Sequence, residues 1–271
     1  MLPNPIIKIG SLSIYMYGVM IAVGILACFA VLYGYSKILK ISPKLTDFVF
    51  YNAIAAIAVG FGAAALWQAL YNYIQNPAAG FHIGQGITFI GGLLGGAGCF
   101  LIVYFVVFYA IPKSREYYSR VRLIDILSLT PCCILIAHAF GRIGCFFAGC
   151  CYGKPTDSFL GVKFPSLSVP VHPTQLYEAA FLFIMFGVCS YLLLKKHYQH
   201  NMSLYLVSYG IFRFLIEYLR GDPRGSFIGV LSPSQFWSVF MVIGGVLLYI
   251  FSRKLLAKRE AELASLPPEK E

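Results

Sequence analysis

Between Pro131 and Thr156 the chain reads PCCILIAHAFGRIGCFFAGCCYGKPT, an apolar run that ends in Arg142, three cysteines (Cys145, Cys150, Cys151) and three glycines (Gly141, Gly144, Gly149). A guanidinium presents a planar fork of donors that matches a phosphate, and a thiol becomes a nucleophile as its thiolate. A second group, Arg213, Glu217 and Arg220, falls at i, i+4 and i+7, one face of a helix. Two chemistries fit that group. One is a structural Arg213–Glu217 ion pair, because charges within apolar segments pair whenever they can. The other is a cationic site for an anionic headgroup, favoured by three arginines gathered from two segments.

His138 lies four residues before Arg142, as a proton carrier or a helix–helix hydrogen bond. In VHPTQLYEAA, His172 is either a ligand or a turn residue beside Pro173. Thr174 opens a helix there, and Glu178, a turn later, suits the helix N-terminal dipole. Of eight cysteines, Cys28, Cys99, Cys132, Cys133 and Cys189 sit in apolar runs as packing residues. For Cys145, Cys150 and Cys151 three readings stay open: a disulfide from Cys145 to Cys150 or Cys151, a thiolate activated beside Arg142, or packing. A metal shared with His138 or His172 is not expected, since C-x4-C-C lacks zinc-site spacing.

The elements that must position these groups are membrane helices. The chain has 271 residues, 59% hydrophobic and only 12% charged, with a mean hydropathy of +0.74. This excludes a soluble domain and implies an all-α, multi-pass membrane protein. Seven apolar runs reach spanning length, at about 12–36, 47–71, 88–111, 123–141, 174–194, 203–219 and 234–252. The first is too long for a signal-peptide core and is expected to remain as a helix.

Basic residues cluster after the odd-numbered runs, at Lys37, Lys40 and Lys44, at Lys113, Arg115, Arg120 and Arg122, at Lys195 and Lys196, and in the tail from Arg253. The positive-inside rule then places the N-terminus outside and the C-terminus in the cytoplasm. The net charge of +10 is thus a topology signal, not a nucleic-acid footprint. Residues 1–252 are expected to form one integral membrane domain, and 253–271 a charged cytoplasmic tail that frays. In this topology Arg142, the cysteine cluster, His172, Glu178, Arg213, Glu217, Arg220, Asp222 and Arg224 share one membrane face.

These residues also carry a family resemblance. AHAFGRIGCFFAGCCYGKPT resembles the GRxGNFxNxExxG signature of bacterial prolipoprotein diacylglyceryl transferases. HPTQLYEA is similar to that family's HP(S/T)QLYEA, YGIFRFLIEYLRGDPRG to its GxxRFxxExxR element, FIGGLLGG to its FHGGLxGG, and MYGVMIAVGILA to its first-span YG motif. The motifs run in family order from Tyr17 to Arg224. Four positions depart: Ile90 replaces the histidine of FHGG, Cys145 the asparagine after GRxG, Cys150 the acidic residue, and Ala64 a second-span arginine.

The resemblance implies transfer of a diacylglyceryl group from phosphatidylglycerol, an anionic glycerophospholipid, to a cysteine thiol in a prolipoprotein signal sequence, at the bacterial inner membrane. It implies no cofactor and no nucleic acid. Arg142 and Arg213 are the expected stabilisers of the leaving phosphate. His138, Glu217 and Cys145 are the candidate bases for the acceptor thiol. Tyr17, Gly141, Gly144, His172, Gln175, Tyr177, Glu178 and Arg220 are the expected substrate-binding set, while Cys150 and Cys151 keep the thiol or disulfide readings given above. Two other readings remain: a related lipid transferase with a different acceptor, and a non-catalytic lipid-binding or thiol-redox protein on the same scaffold.

Overall fold

The computed structural model describes residues 5–9, 12–84, 86, 88–107, 123–221 and 231–264. Asp222 and Arg224 lie outside the described residues. A short antiparallel hairpin, β1 (Ile7–Ile9) and β2 (Leu12–Ile14), pairs Ile7 with Ile14 and Ile9 with Leu12. Seven α-helices follow among the described residues: α1 (Met16–Ile38), α2 (Pro43–Gln75), α3 (Phe89–Phe105), α4 (Leu123–Ala148), α5 (Thr174–Lys196), α6 (Asn201–Ile216) and α7 (Pro233–Ala264). Six helices are long and apolar enough to cross a membrane, and the seventh is the shorter apolar stretch Gly91–Phe105. Only 11% of the apolar window of α1 is buried within the chain. Helices this apolar leave their outward faces to lipid, so the protein is a multi-pass membrane protein.

Two boundaries differ from the hydropathy reading. The third run is α-helical over Phe89–Phe105, and its expected end at 108–111 lies outside the described residues. The fourth continues to Ala148, so Gly141, Arg142, Gly144 and Cys145 are helical and do not belong to an outer loop. The last helix runs to Ala264, so the tail that was expected to fray is helical over 253–264. Its AKREAELA composition explains this, since Ala, Lys, Arg, Glu and Leu are strong helix formers that need no bilayer.

The chain divides into two compact units, 36–122 and 1–35 with 123–271. In the first, α2 and α3 are held backbone to backbone by small residues. A Cβ on Gly60 would lie 3.0 Å from the Gly92 carbonyl, and one on Gly96 3.0 Å from that of Ala56. Such contact replaces the hydrophobic drive that lipid removes. Asn52 Nδ2 donates to the Phe100 carbonyl (3.0 Å), and Ala64 is buried on this face, its carbonyl accepting from Thr88 N (3.1 Å).

The second unit is organised by α4, the most buried of the spans. It packs along α5 and reaches α6, while α7 lies along α6. Pro131 is tolerated inside α4 because packed neighbours can compensate for the broken hydrogen-bond ladder. Fully buried Asn201 ties three helices, its Nδ2 donating to the carbonyls of Ser128 (3.2 Å) and Cys189 (3.0 Å). Helix α1 closes on α4 at two glycines. A Cβ on Gly24 would meet the Ala137 carbonyl at 2.9 Å, and one on Gly144 the Tyr17 ring at 3.1 Å.

Candidate functional site

Glu178 organises the polar centre of this second unit. Its side chain is 1% exposed, one turn into α5. Arg142 Nε on α4 lies 3.0 Å from Glu178 Oε1, and the Tyr209 hydroxyl on α6 donates to the same oxygen at 2.6 Å. His138 Nε2 is 3.7 Å from that oxygen and accepts from Arg142 Nε at 3.3 Å. An imidazole that accepts this bond is neutral at Nε2. The His138 ring also meets Tyr209 edge to face, 5.2 Å between centroids. The sequence offered Glu178 either the dipole of its own helix or a place in the substrate-binding set. In the fold its carboxylate is the counter-ion of Arg142, which is what a charge at this depth requires.

Tyr209 was missed by the sequence reading. It sits four residues before Arg213, on the same helical face, and that spacing was the available signal. We expect Tyr209→Phe to cost about 1.5–3 kcal/mol, the usual worth of a hydrogen bond to a charged group. Thermal unfolding in detergent measures it; an unchanged midpoint would show that the bond adds nothing.

A second cluster stands beside the first. Arg213 Nη1 lies 2.8 Å from Glu217 Oε2, an ion pair whose approach angle does not make a directed hydrogen bond. Arg213 Nη2 donates to Ser234 Oγ at 2.7 Å, a partner from the first turn of α7 that the sequence did not reveal. Arg213 also contributes its positive charge to the surroundings of Glu178 and His138. Arg220 is not on the helical face that its spacing implied. After Ile216 the backbone tightens into a 3-10 turn, Glu217–Leu219, and Arg220 is extended. It reaches Glu217 Oε2 at 4.0 Å from there.

That departure is fixed by two glycines. Arg220 bridges Gly153, Lys154 N donates to the Leu219 carbonyl (2.7 Å), and Gly153 N donates to the His172 carbonyl (2.8 Å). Three segments thus meet with no room for a side chain. A Cβ on Gly153 would lie 2.6 Å from the Leu219 carbonyl oxygen and 2.7 Å from His172 Cβ, and one on Gly221 2.7 Å from the Gly153 carbonyl. Gly153→Ala is expected to cost about 1–3 kcal/mol by overpacking and to displace Arg220. The unfolding midpoint reads the cost, and a variant as stable as the parent would contradict the packing.

The remaining expected residues fall around these clusters. Gln175 Nε2 donates to the Cys150 carbonyl (2.5 Å) and Thr174 Oγ1 to that of Cys151 (2.8 Å). The His172 ring pairs with the Tyr177 hydroxyl through Nδ1 at 3.3 Å, so it is more than an exposed turn residue. Tyr17 lies against Gly144, whereas Gly141 faces open space. All eight cysteines are unbridged. The Sγ atoms of Cys145, Cys150 and Cys151 nevertheless lie within 4.8 Å of one another. Hydrogen bonds from Cys145 and Cys150, with the Arg220 guanidinium alongside, hold the Cys151 thiol well below its ordinary range, and the same thiol contacts push Cys150 up. The guanidinium that bears on the Cys151 thiol is that of Arg220.

Arg142 and Arg213 bring two guanidinium forks, each beside a carboxylate, into this unit, and such forks match the geometry of a phosphate. A family model described as prolipoprotein diacylglyceryl transferase matches residues 4–251. The chain is similar to a phosphatidylglycerol–prolipoprotein diacylglyceryl transferase of Clostridium tetani, 36% identical over 252 residues that cover 89% of this chain and 94% of the relative. A second protein of that name from Clostridium perfringens is 35% identical, with 93% and 96% covered. One from Bordetella bronchiseptica is 29% identical, with 92% and 94% covered. With a family model spanning nearly its whole length, the chain belongs to the prolipoprotein diacylglyceryl transferase family.

Proposed function

We propose that the protein transfers the diacylglyceryl group of phosphatidylglycerol to the cysteine thiol of a prolipoprotein signal sequence, in the bacterial inner membrane with its N-terminus outside and its C-terminus in the cytoplasm. The observation that carries this reading is the buried Arg142–Glu178–Tyr209 cluster beside Arg213. It supplies fixed positive charge within the helical bundle.

The steps follow from that charge. The donor phosphate lies against Arg142 and Arg213, whose Nη groups offer paired donors. Glu178 holds Arg142 through Nε and Ser234 holds Arg213, so the guanidiniums are oriented before the donor arrives. The acceptor thiol gives up its proton to a base or to solvent, and the resulting thiolate attacks the phosphate-bearing carbon of the diacylglyceryl moiety. A carbon–sulfur bond forms as the carbon–oxygen bond breaks, and glycerol phosphate leaves with the electron pair, stabilised by the arginines. Tyr17, His172, Gln175 and Tyr177 are assigned to substrate binding. His138, whose Nε2 accepts from Arg142, acts chiefly to orient that guanidinium; to serve as a base it must first give up this bond.

The test is transfer in detergent, using purified protein, labelled phosphatidylglycerol and a lipobox peptide. Mass spectrometry is expected to find diacylglyceryl peptide and glycerol phosphate in equal amounts. Headgroup release without modified peptide would point to another acceptor, a reading favoured by the replacements at Ile90, Cys145 and Cys150. Absence of both products would move the protein to lipid binding or thiol redox chemistry.

A further inference from the structure

We propose that Cys145, Cys150 and Cys151 form a three-thiolate site for one zinc ion, open at its fourth position, and that this position takes the acceptor thiol. The first part stands on the cysteine geometry alone; the second rests on the transfer reaction proposed above.

The C-x4-C-C spacing gave no reason to expect a metal, because the fold and not the spacing brings the sulfurs together. Cys145 projects from the last turn of α4, and the chain then reverses at Gly149 (φ +71°) and Cys151 (φ +64°). A non-glycine residue in the left-handed region is strained and persists only where its surroundings enforce it. Here they do. Cys150 N donates to the Cys145 carbonyl at 3.2 Å, and Thr174 and Gln175, each 1% exposed, bind the Cys151 and Cys150 carbonyls. Two buried polar side chains are thus committed to orienting the cysteine pair, as outer groups do around metal ligands.

The sulfurs already lie within 4.8 Å of one another. Tetrahedral zinc, with Zn–S near 2.3 Å, holds its sulfurs roughly 3.8 Å apart. The sulfurs need close by no more than about 1 Å to reach that spacing. Soft thiolates select zinc over magnesium or calcium. Three thiolates on Zn2+ carry a net charge of minus one, and Arg220, beside Cys151, compensates it. Cys150 is exposed while Cys145 and Cys151 are half-buried, so the fourth position has a route to solvent.

An open site with three protein ligands is the arrangement of catalytic rather than structural zinc. A thiol entering it loses its proton to solvent and is held as a thiolate, which supplies the deprotonation that attack on carbon requires. Zinc remains Zn2+ throughout, and the bound sulfur forms the new bond to carbon as glycerol phosphate leaves. The donor site is close at hand, since Arg142 interacts with Cys145 and Cys151.

The test uses the full chain purified in detergent under reducing, anaerobic conditions, loaded with Zn2+ and desalted. Elemental analysis is expected to find one zinc per chain. Loss of a ligand in Cys150→Ser should weaken zinc binding at least about 10- to 100-fold, and the triple Cys→Ser variant should retain none. Co2+ in place of zinc should give an intense near-ultraviolet thiolate band. Retention of no more zinc by the parent than by the triple variant, or equal retention by both, overturns the site. So does a disulfide among the three that the reductant does not open. Cys150→Ser, altered at the exposed position, covers the case in which the triple variant misfolds. Adding a lipobox peptide to the Co2+ form should shift the visible spectrum, whereas its Cys→Ser counterpart should not. Lack of that shift overturns the acceptor role. Metal content and spectra are read without donor lipid, so failure of the transfer reaction and failure of the zinc site are distinguishable.

Discussion

Arg142→Ala is expected to lower transfer by about 10²- to 10³-fold, the usual cost of removing one fixed donor from a developing anion. It should also destabilise the protein by about 3–5 kcal/mol, because a buried carboxylate is left without its counter-ion. Glu178 is 1% exposed and cannot turn to water for compensation. The two effects have different origins and can be separated. In Arg142→Ala/Glu178→Gln the stranded charge is gone, so stability should largely return. Activity should not, because the phosphate still lacks its fork. Recovery of activity along with stability would mean that Arg142 serves only as a structural partner of Glu178. Initial rates with labelled donor, beside thermal unfolding of the same samples, decide between these outcomes.

Arg213→Ala is the second large effect, expected at about 10²-fold or more on transfer. Its structural penalty should be smaller than that of Arg142→Ala. Glu217 keeps Arg220 at 4.0 Å, so its charge is not left alone. The oblique 2.8 Å approach between Arg213 and Glu217 is pertinent here. An ion pair without a directed hydrogen bond holds its arginine less firmly and leaves donors available for a ligand. Glu217→Gln alone should therefore retain much of the activity, and the double variant should behave like Arg213→Ala in rate. If instead the single changes cancel in the double variant, the pair is a structural unit and the donor site lies elsewhere.

The sequence determined the parts of this protein that depend on composition and local period. Its apolar runs set an all-α membrane fold, because only hydrogen-bonded helices or closed barrels satisfy their backbone in lipid. The spacing of Arg213 and Glu217 put an ion pair within reach, and the motif order from Tyr17 to Arg224 set the family. What the tertiary structure decided is which charges face each other across helices. Nothing in the local pattern at Glu178 tells it to meet Arg142 or Tyr209, 36 and 31 residues away along the chain. A carboxylate placed one turn into a helix satisfies the dipole equally well without them. Arg220 left its predicted face because Gly153 and Gly221 admit a third backbone, a contact invisible to a helical period. The cysteines show the same division. Their number and neighbourhood were plain from the sequence, but the left-handed turn at Cys151, held by buried Thr174 and Gln175, is what gathers the three sulfurs. Long-range polar contacts in a bundle are fixed by helix packing, and a one-dimensional pattern carries little of that information.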